Sequence, residues 1–312
     1  MTNCPTNSCR RTFTERNVMK SAARFLLCCL PLWLALRAGA QGDYPPTLLW
    51  RISGAGLNAD SYLWGTIHLQ DRRVFAFTDS LYYFLDQTRA FAMELDPERA
   101  GAELLPFMLA QDTSAFVYTV LPDSVFRKLG PVLERALNKP ARTVRRKEAW
   151  LYAQLRPYRR RRPDDMEQPM DLYLQQLARR GGKPVLGIED LSDQFNLEEV
   201  LSGPFDTQGI LDSEESVRAQ TEQLTQLYLR QDLAGIERLS YGDSSEFVRK
   251  LLRRNRKMAV RMDSIARRQP TFFAIGAGHL PGPEGVLALL RRRGFSVTPV
   301  LGGRPIEPRT ER

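Results

Sequence analysis

Two segments far apart in this chain, SYLWGTIH and FFAIGAGH, repeat one form: an extended apolar run, then glycine, two residues and histidine. They put His68 and His279, the two histidines of the chain, at the same local position 211 residues apart. Such a run reads as a buried strand, and a strand that ends at glycine can turn sharply without steric cost. Each histidine is then delivered at the lip of a sheet, where open α/β folds bind ligands. For both rings to serve one site, the two strands must share a sheet and the intervening chain must fold out and return.

The remaining pattern agrees. TLLWRISG and SYLWGTIH, separated by Ala55 to Asp60, read as a hairpin, and AFAMELD is a further strand after one helix-like segment. TFFAIGAGH leads through Pro281-Gly282-Pro283 into GVLALLRRRG and then FSVTPVL, a strand, helix, strand unit. Between these ends lie amphipathic segments such as DSVFRKLGPVLERAL, SVRAQTEQLTQLYLRQDL and MDLYLQQLARR, the last closed by Gly181-Gly182. One short strand, KPVLGIE, interrupts them. The expected fold class is α/β (α+β): a central mixed β-sheet built from N- and C-terminal strands and flanked by helices, with a large helical insertion over about residues 98–270. No Gly/Ser- or Pro-rich linker of useful length lies between residues 45 and 302, so residues 41–312 are expected to be a single domain with a frayed tail at 303–312.

Residues 1–40 read as a secretory signal peptide. Arg10, Arg11, Arg16, Lys20 and Arg24 precede the apolar run FLLCCLPLWLAL, and Ala38-Gly39-Ala40 offers a small-residue cleavage site before Gln41. That run is well short of the ~20 residues a spanning helix needs. Export to the periplasm, the cell envelope or the exterior is the expectation. All four cysteines, Cys4, Cys9, Cys28 and Cys29, fall in this leader, so a mature chain would lack thiols, which excludes cysteine-ligated zinc and thiol catalysis.

The leader also carries much of the basic excess: the net charge of +9 falls to about +4 without it. Basic clusters remain at Arg159 to Arg162, in RKLLRRNRK and at Arg291 to Arg293, but no aromatic-and-glycine nucleic-acid motif accompanies them. They read as solvated helix faces, with contact to an anionic envelope surface as the alternative. Nucleic acid is not an expected partner.

A carboxylate belongs beside the histidines. Glu94 sits in FAMEL, where alternation puts it on the face of Ala92, and an acidic group in so apolar a strand needs a partner to offset its desolvation. Glu189 ends PVLGIE in a similar position, and Asp71 follows His68 closely enough to reach the same mouth. Two imidazoles with one or two carboxylates suit a divalent ion such as manganese, cobalt or zinc, with an open position for water. That is a hydrolytic recipe, in which a carboxylate not used as a ligand takes the proton of the attacking water. His-Glu-x-x-His, Gly-x-Ser-x-Gly and P-loop patterns are absent from the sequence.

Five ordered blocks resemble the TraB/GumN family: LLWRISG through SYLWGTIHL, FAMELD, KPVLGIED with Gln194, LLRRNRKMA, and FFAIGAGHLPGPEGVLALLRRRGFSVTPV. The family is related to the Tiki metalloproteases of animals, and the resemblance implies a metal-dependent site made by the paired Gly-x-x-His motifs and a glutamate. It assigns Gly65 and His68 to the first motif, Gly276 and His279 to the second, and Glu94 to the glutamate. Arg254 and Asn255 match an Arg-Asn pair on the last long helix, which composition alone reads as surface charge. The implied activity is that of a metal-dependent hydrolase, a peptidase acting on a peptide or peptide-like substrate. The alternative is a non-catalytic envelope protein that captures a peptide, a signal or haem in the same pocket. The supposedly spare carboxylates, Glu189 and Asp71, favour catalysis, because a capture site needs no base.

Overall fold

Strand length and burial in this chain follow where apolar side chains run unbroken and where they alternate. The structure, a computed structural model, describes residues 44–155, 162–203, 207–211, 214–241 and 246–308. The expected leader and Arg159 to Arg161 lie outside them. β1 (Leu49–Gly54) and β6 (Phe295–Pro299) alternate buried and exposed positions, as edge-side strands with one wet face do. β2 (Ser61–Thr66), β3 (Ala90–Met93) and β5 (Thr271–Gly276) are buried almost throughout, the habit of parallel strands covered on both faces.

Together with β4 (Val185–Gly187) these strands form one six-stranded sheet in the order β4-β3-β5-β2-β1-β6. The pairs β4/β3, β3/β5 and β5/β2 are parallel, and β2/β1 and β1/β6 are antiparallel. The sheet is therefore mixed and is built from both ends of the chain, as expected. β5 sits between β2 and β3, so the C-terminal strand is inserted into the N-terminal set. β6 runs in the same direction as β5 but is separated from it by two strands, β2 and β1.

Helices cover the sheet. Asp79–Gln87 buries Leu81, Tyr82 and Leu85, and Met170–Arg180 buries Met170, Tyr173, Leu174 and Ala178. Glu246–Arg268 buries Met258, Ala259, Met262, Ile265 and Ala266 at helical spacing. The intervening helical region also carries a small core of its own, in which Val117, Leu129, Leu133, Val144, Ala149 and Ile210 pack together. Among the described residues no helix is long and apolar enough to cross a membrane.

One expectation is corrected at the C-terminus. The chain after residue 303 is held along its described part: Arg304 and Ile306 hydrogen-bond the backbone of Asp79 and Phe77, and Pro305 bridges Thr78. The first N–H of Asp79–Gln87, which has no partner within the helix, is satisfied by the Arg304 carbonyl, while Ile306 donates to Phe77 ahead of the helix.

The glycines of the two histidine motifs act through space rather than through turning. Neither has a positive φ, and β2 continues past Gly65 to Thr66. A Cβ on Gly65 would stand 3.2 Å from both the Ala277 Cβ and the Leu280 Cδ2, so its absence lets the second motif pack onto the first. Gly65→Val is expected to lower stability by ~1–3 kcal/mol through overpacking, read as a lower urea midpoint. An unchanged midpoint would show that the two motifs do not depend on this contact.

Candidate functional site

The parallel part of the sheet puts four strand ends in a row. Thr66 pairs with Gly276, Met93 with both Ala274 and Gly187, and the Glu189 N–H donates to the Glu94 carbonyl at 2.8 Å. His68, His279, Glu94 and Glu189 therefore leave the sheet along its carboxyl edge.

Both histidines are oriented through Nδ1. His68 Nδ1 lies 2.7 Å from Asp171 Oδ2, and the other Asp171 oxygen accepts from the Thr66 hydroxyl at 2.5 Å. His279 Nδ1 lies 2.5 Å from Asn255 Oδ1. The Asn255 amide donates to the Tyr241 hydroxyl at 3.2 Å and the Glu284 carbonyl at 3.0 Å, which fixes its oxygen toward the ring. Asp171 and the Asn255 oxygen are acceptors, so this network assigns the Nδ1 proton to each ring. The two Nε2 atoms then face one carboxylate oxygen, Glu94 Oε1, at 3.9 Å from His68 and 3.7 Å from His279. Both separations exceed hydrogen-bond length.

The remaining valences of Glu94 are filled. Oε1 accepts the Gly276 N–H at 2.7 Å; Oε2 accepts from Arg254 Nη2 at 2.8 Å and Gln194 Nε2 at 3.0 Å. Arg254 also forks onto Glu189, Nε to Oε1 at 2.8 Å and Nη2 to Oε2 at 2.7 Å, and Gln194 donates to the same Glu189 oxygen at 3.0 Å. The Glu189 side chain is fully buried and that of His279 is 7% exposed, whereas His68 is 54% exposed. The site therefore opens on the His68 side.

Protonation follows the surroundings. Burial would raise the Glu94 carboxyl, but the charges of His279, His68 and Arg254 and the Gly276 N–H outweigh it and hold the group at about 2. Burial pushes His279 down to about 4 against the pull of Glu94. For His68 burial also acts downward, yet the charge and hydrogen bond of Asp171, with Glu94 behind them, lift it to about 9. An ionised carboxylate thus faces one neutral ring and one protonated ring.

The family model described as TraB/PrgY/gumN matches residues 48–299, a span that holds every one of these side chains. The chain belongs to the TraB/PrgY/gumN family. Metalloprotease TIKI1 of Homo sapiens is 28% identical to it, over 90% of this chain and 69% of its own length. Metalloprotease TIKI2 of Danio rerio is 25% identical, over 80% of this chain and 60% of its own. Metalloprotease TIKI1 of Xenopus tropicalis is 27% identical, over 83% and 63%. No solved structure matches the chain.

In this TraB/PrgY/gumN protein the donor chemistry fits a divalent ion. Two Nε2 atoms and one carboxylate oxygen converge, and each ring donates its other nitrogen to an acceptor, as metal-bound histidines do. A Cβ on Gly276 would stand 3.1 Å from Glu94 Oε1 and 3.8 Å from His68 Nε2, so glycine keeps the space between the donors clear. The side chains are not drawn together as a formed cage: among the described residues, no group of three or more His, Cys, Asp or Glu is placed to hold a metal ion. Donors sharing one ion at about 2.1 Å each stand ~3.4 Å apart in a tetrahedral set.

Asp71 is not brought to this centre. It caps the short helix Arg72–Phe75, and its carboxylate is bound by Arg73 and Arg162. Glu189, Arg254 and Asn255 do gather at the strand ends, where Arg254 bonds to Glu94 and Glu189 and Asn255 bonds to His279, so each holds a neighbouring group in place. Asp171 and Thr66 have no counterpart in the sequence reasoning. The available signal was an acidic residue at the start of MDLYLQQLARR, a helix whose apolar residues face the core, where Asp171 is 6% exposed.

Replacing Arg254 by methionine leaves Glu94 and Glu189 buried without a counter-charge and is expected to cost ~3–5 kcal/mol, read by chemical denaturation; a cost under ~1 kcal/mol, the range of surface pairs, would show that the fork is not needed. Asp171→Ala is expected to weaken binding of manganese, measured by titration calorimetry, about 10–100-fold. Equal affinity would remove Asp171 from the support of His68.

Proposed function

We propose that this chain is an exported metal-dependent hydrolase that cleaves peptides, with His68, His279 and Glu94 holding one divalent ion. The observation that carries the proposal is the convergence of both Nε2 atoms on a single ionised carboxylate oxygen at the carboxyl edge of the sheet. The names of the relatives, metalloproteases, support the reaction class. A divalent ion bound there supplies Lewis acidity, polarising a peptide carbonyl and making water a nucleophile near neutral pH.

The chain's own residues do the rest by orientation. Asp171 and Asn255 hold the imidazoles in the tautomer that presents Nε2 to the opening. Arg254, Gln194 and the Gly276 N–H keep Glu94 ionised and point Oε1 between the rings. Glu189 holds Arg254 in place, since both of its oxygens are spent. Substrate enters on the His68 side, where the ring is half-exposed. Manganese, cobalt and zinc all suit this donor set, and supply rather than ligand type selects among them.

One observation favours the second reading, capture of a peptide, signal or haem without turnover. The carboxylates expected to be spare are not: Glu189 and Asp71 are both bound by arginine, and Asp171 is bound by His68 and Thr66. Proton transfer would then fall to Glu94 or to groups of the substrate.

The deciding experiment uses the chain from residue 41, stripped with a chelator and incubated with an end-blocked random peptide library. Cleavage is expected on adding manganese, cobalt or zinc, and is expected to vanish in His68→Ala and His279→Ala. Peptide binding without cleavage under every metal would establish the capture reading instead. Export is supported by the leader-like pattern of residues 1–40. Fusing those residues to a reporter enzyme active only outside the cytoplasm should yield activity, and a silent, cytoplasmic fusion would refute export.

A further inference from the structure

The stretch RKLLRRNRK reads in sequence as a solvated basic face, and Arg249, Lys250, Arg253 and Arg256 are indeed exposed, but most of its cations are paired. On the helix Glu246–Arg268, Arg254 forks onto Glu94 and Glu189, Arg256 pairs with Glu284, and Lys257 and Arg261 pair with Asp190. Arg267 binds Asp263, and Lys250 lies 3.8 Å from Glu199. Arg249 and Arg253 differ: both are exposed, and among the described residues neither has a hydrogen-bond or ion-pair partner. They are four residues apart, hence on one helix face, where like charges repel.

That face borders a cleft of about 520 Å³, lined by Arg249, Lys250 and Arg253 on one side and, opposite them, by Gln194 and the carboxylates of Asp193 and Glu199 among others. Lys257 binds Asp193 and Lys250 lies 3.8 Å from Glu199, so both acids have a cation of their own. The volume falls in the range of ligand sites. The cleft is not centred on the histidines but touches their site through two features. Gln194 lines it while donating to both Glu94 and Glu189, and Arg253 is the chain neighbour of Arg254. A second cleft shares Ser192 and Asn196 with it and continues away past Leu191, Phe195 and Leu197. An extended peptide crossing the metal-donor edge would thus run beside two free guanidiniums. Guanidinium is the side chain best shaped to accept a carboxylate in two parallel hydrogen bonds.

We propose that Arg249 and Arg253 form an anion subsite that selects peptides bearing a carboxylate close to the scissile bond. The inference rests on the peptidase reading above and names its substrate class. The carboxylate comes from an acidic side chain or from the substrate's own C-terminus. At about 3.3–3.6 Å of extended chain per residue, a subsite adjoining Gln194 falls within a few residues of the bond cleaved.

The test compares wild type with Arg249→Glu/Arg253→Glu and the conservative Arg249→Lys/Arg253→Lys, using the chain from residue 41 with manganese. The probes are peptide libraries differing in Glu, Gln or Lys content, each made with an amidated and with a free C-terminus. Wild type is expected to prefer Glu-containing or free-acid peptides by about tenfold in kcat/KM, the effect of two exposed-to-half-buried charge pairs. The preference should shrink in high salt, invert toward Lys peptides in the double glutamate variant and survive in the lysine variant. Preference confined to the free-acid library identifies the C-terminus, and preference in the amidated library identifies a side chain. Cleavage with no charge preference, or one unchanged by the glutamate variant, overturns the subsite and leaves the peptidase standing. If nothing is cleaved, fluorescence anisotropy of the same peptides still decides: Glu-selective binding lost in the glutamate variant upholds the subsite while the peptidase reading falls.

Discussion

Arg254 is the group on which the strand-end site depends. Its guanidinium lies at 19% exposure between two carboxylates that are almost wholly buried, Glu94 and Glu189, and bonds to both. Burying either carboxylate alone would cost several kcal/mol or force it to take up a proton. With Arg254 in place both have a counter-charge, and Gln194 donates to each of them as well. The same contact joins β3, the segment after β4 and the long helix Glu246–Arg268, three elements far apart in the chain. Electrostatic satisfaction and assembly of the site are thus one event.

Around that core the support is graded from closed to open. His279 is buried and neutral, backed by Asn255, which is itself tied to Tyr241 and to the Glu284 carbonyl. His68 is half-exposed, backed by the buried Asp171, and holds a proton in the absence of a cation. Binding an ion between them would release that proton, so occupancy and pH are linked. Glycines 65 and 276 contribute by having no side chain: one admits the second motif onto the first, the other keeps the donors apart from backbone bulk. The arrangement is held firmly at the back and accessible at the front.

The basic helix joins this centre to the surface. Successive residues of one short stretch do different work: Arg253 faces a cleft, Arg254 neutralises two buried acids, Asn255 orients a histidine and Lys257 ties down Asp190 and Asp193. A helix brings each to a different direction within one turn, so charge density in the sequence says little about function until the directions are known.

By itself the sequence determined the strands, because unbroken apolar runs bounded by turn residues have few other readings. It also implied that the two histidine strands share a sheet if both rings serve one site, and that Glu94 needs a partner. It could not show that β5 inserts between β2 and β3, because strand order depends on packing across 200 residues rather than on any local pattern. For the same reason it missed Asp171 behind His68, and it counted Glu189 and Asp71 as spare when Arg254 of a distant helix takes the first and Arg73, two residues on, takes the second together with Arg162. Even the glycines were legible only as glycines: backbone freedom and close approach leave the same letter, and only the tertiary structure shows that space was the reason. What local pattern carries is the placement of groups along the chain; what folding decides is which charges meet, because pairing energies act across space and not along sequence.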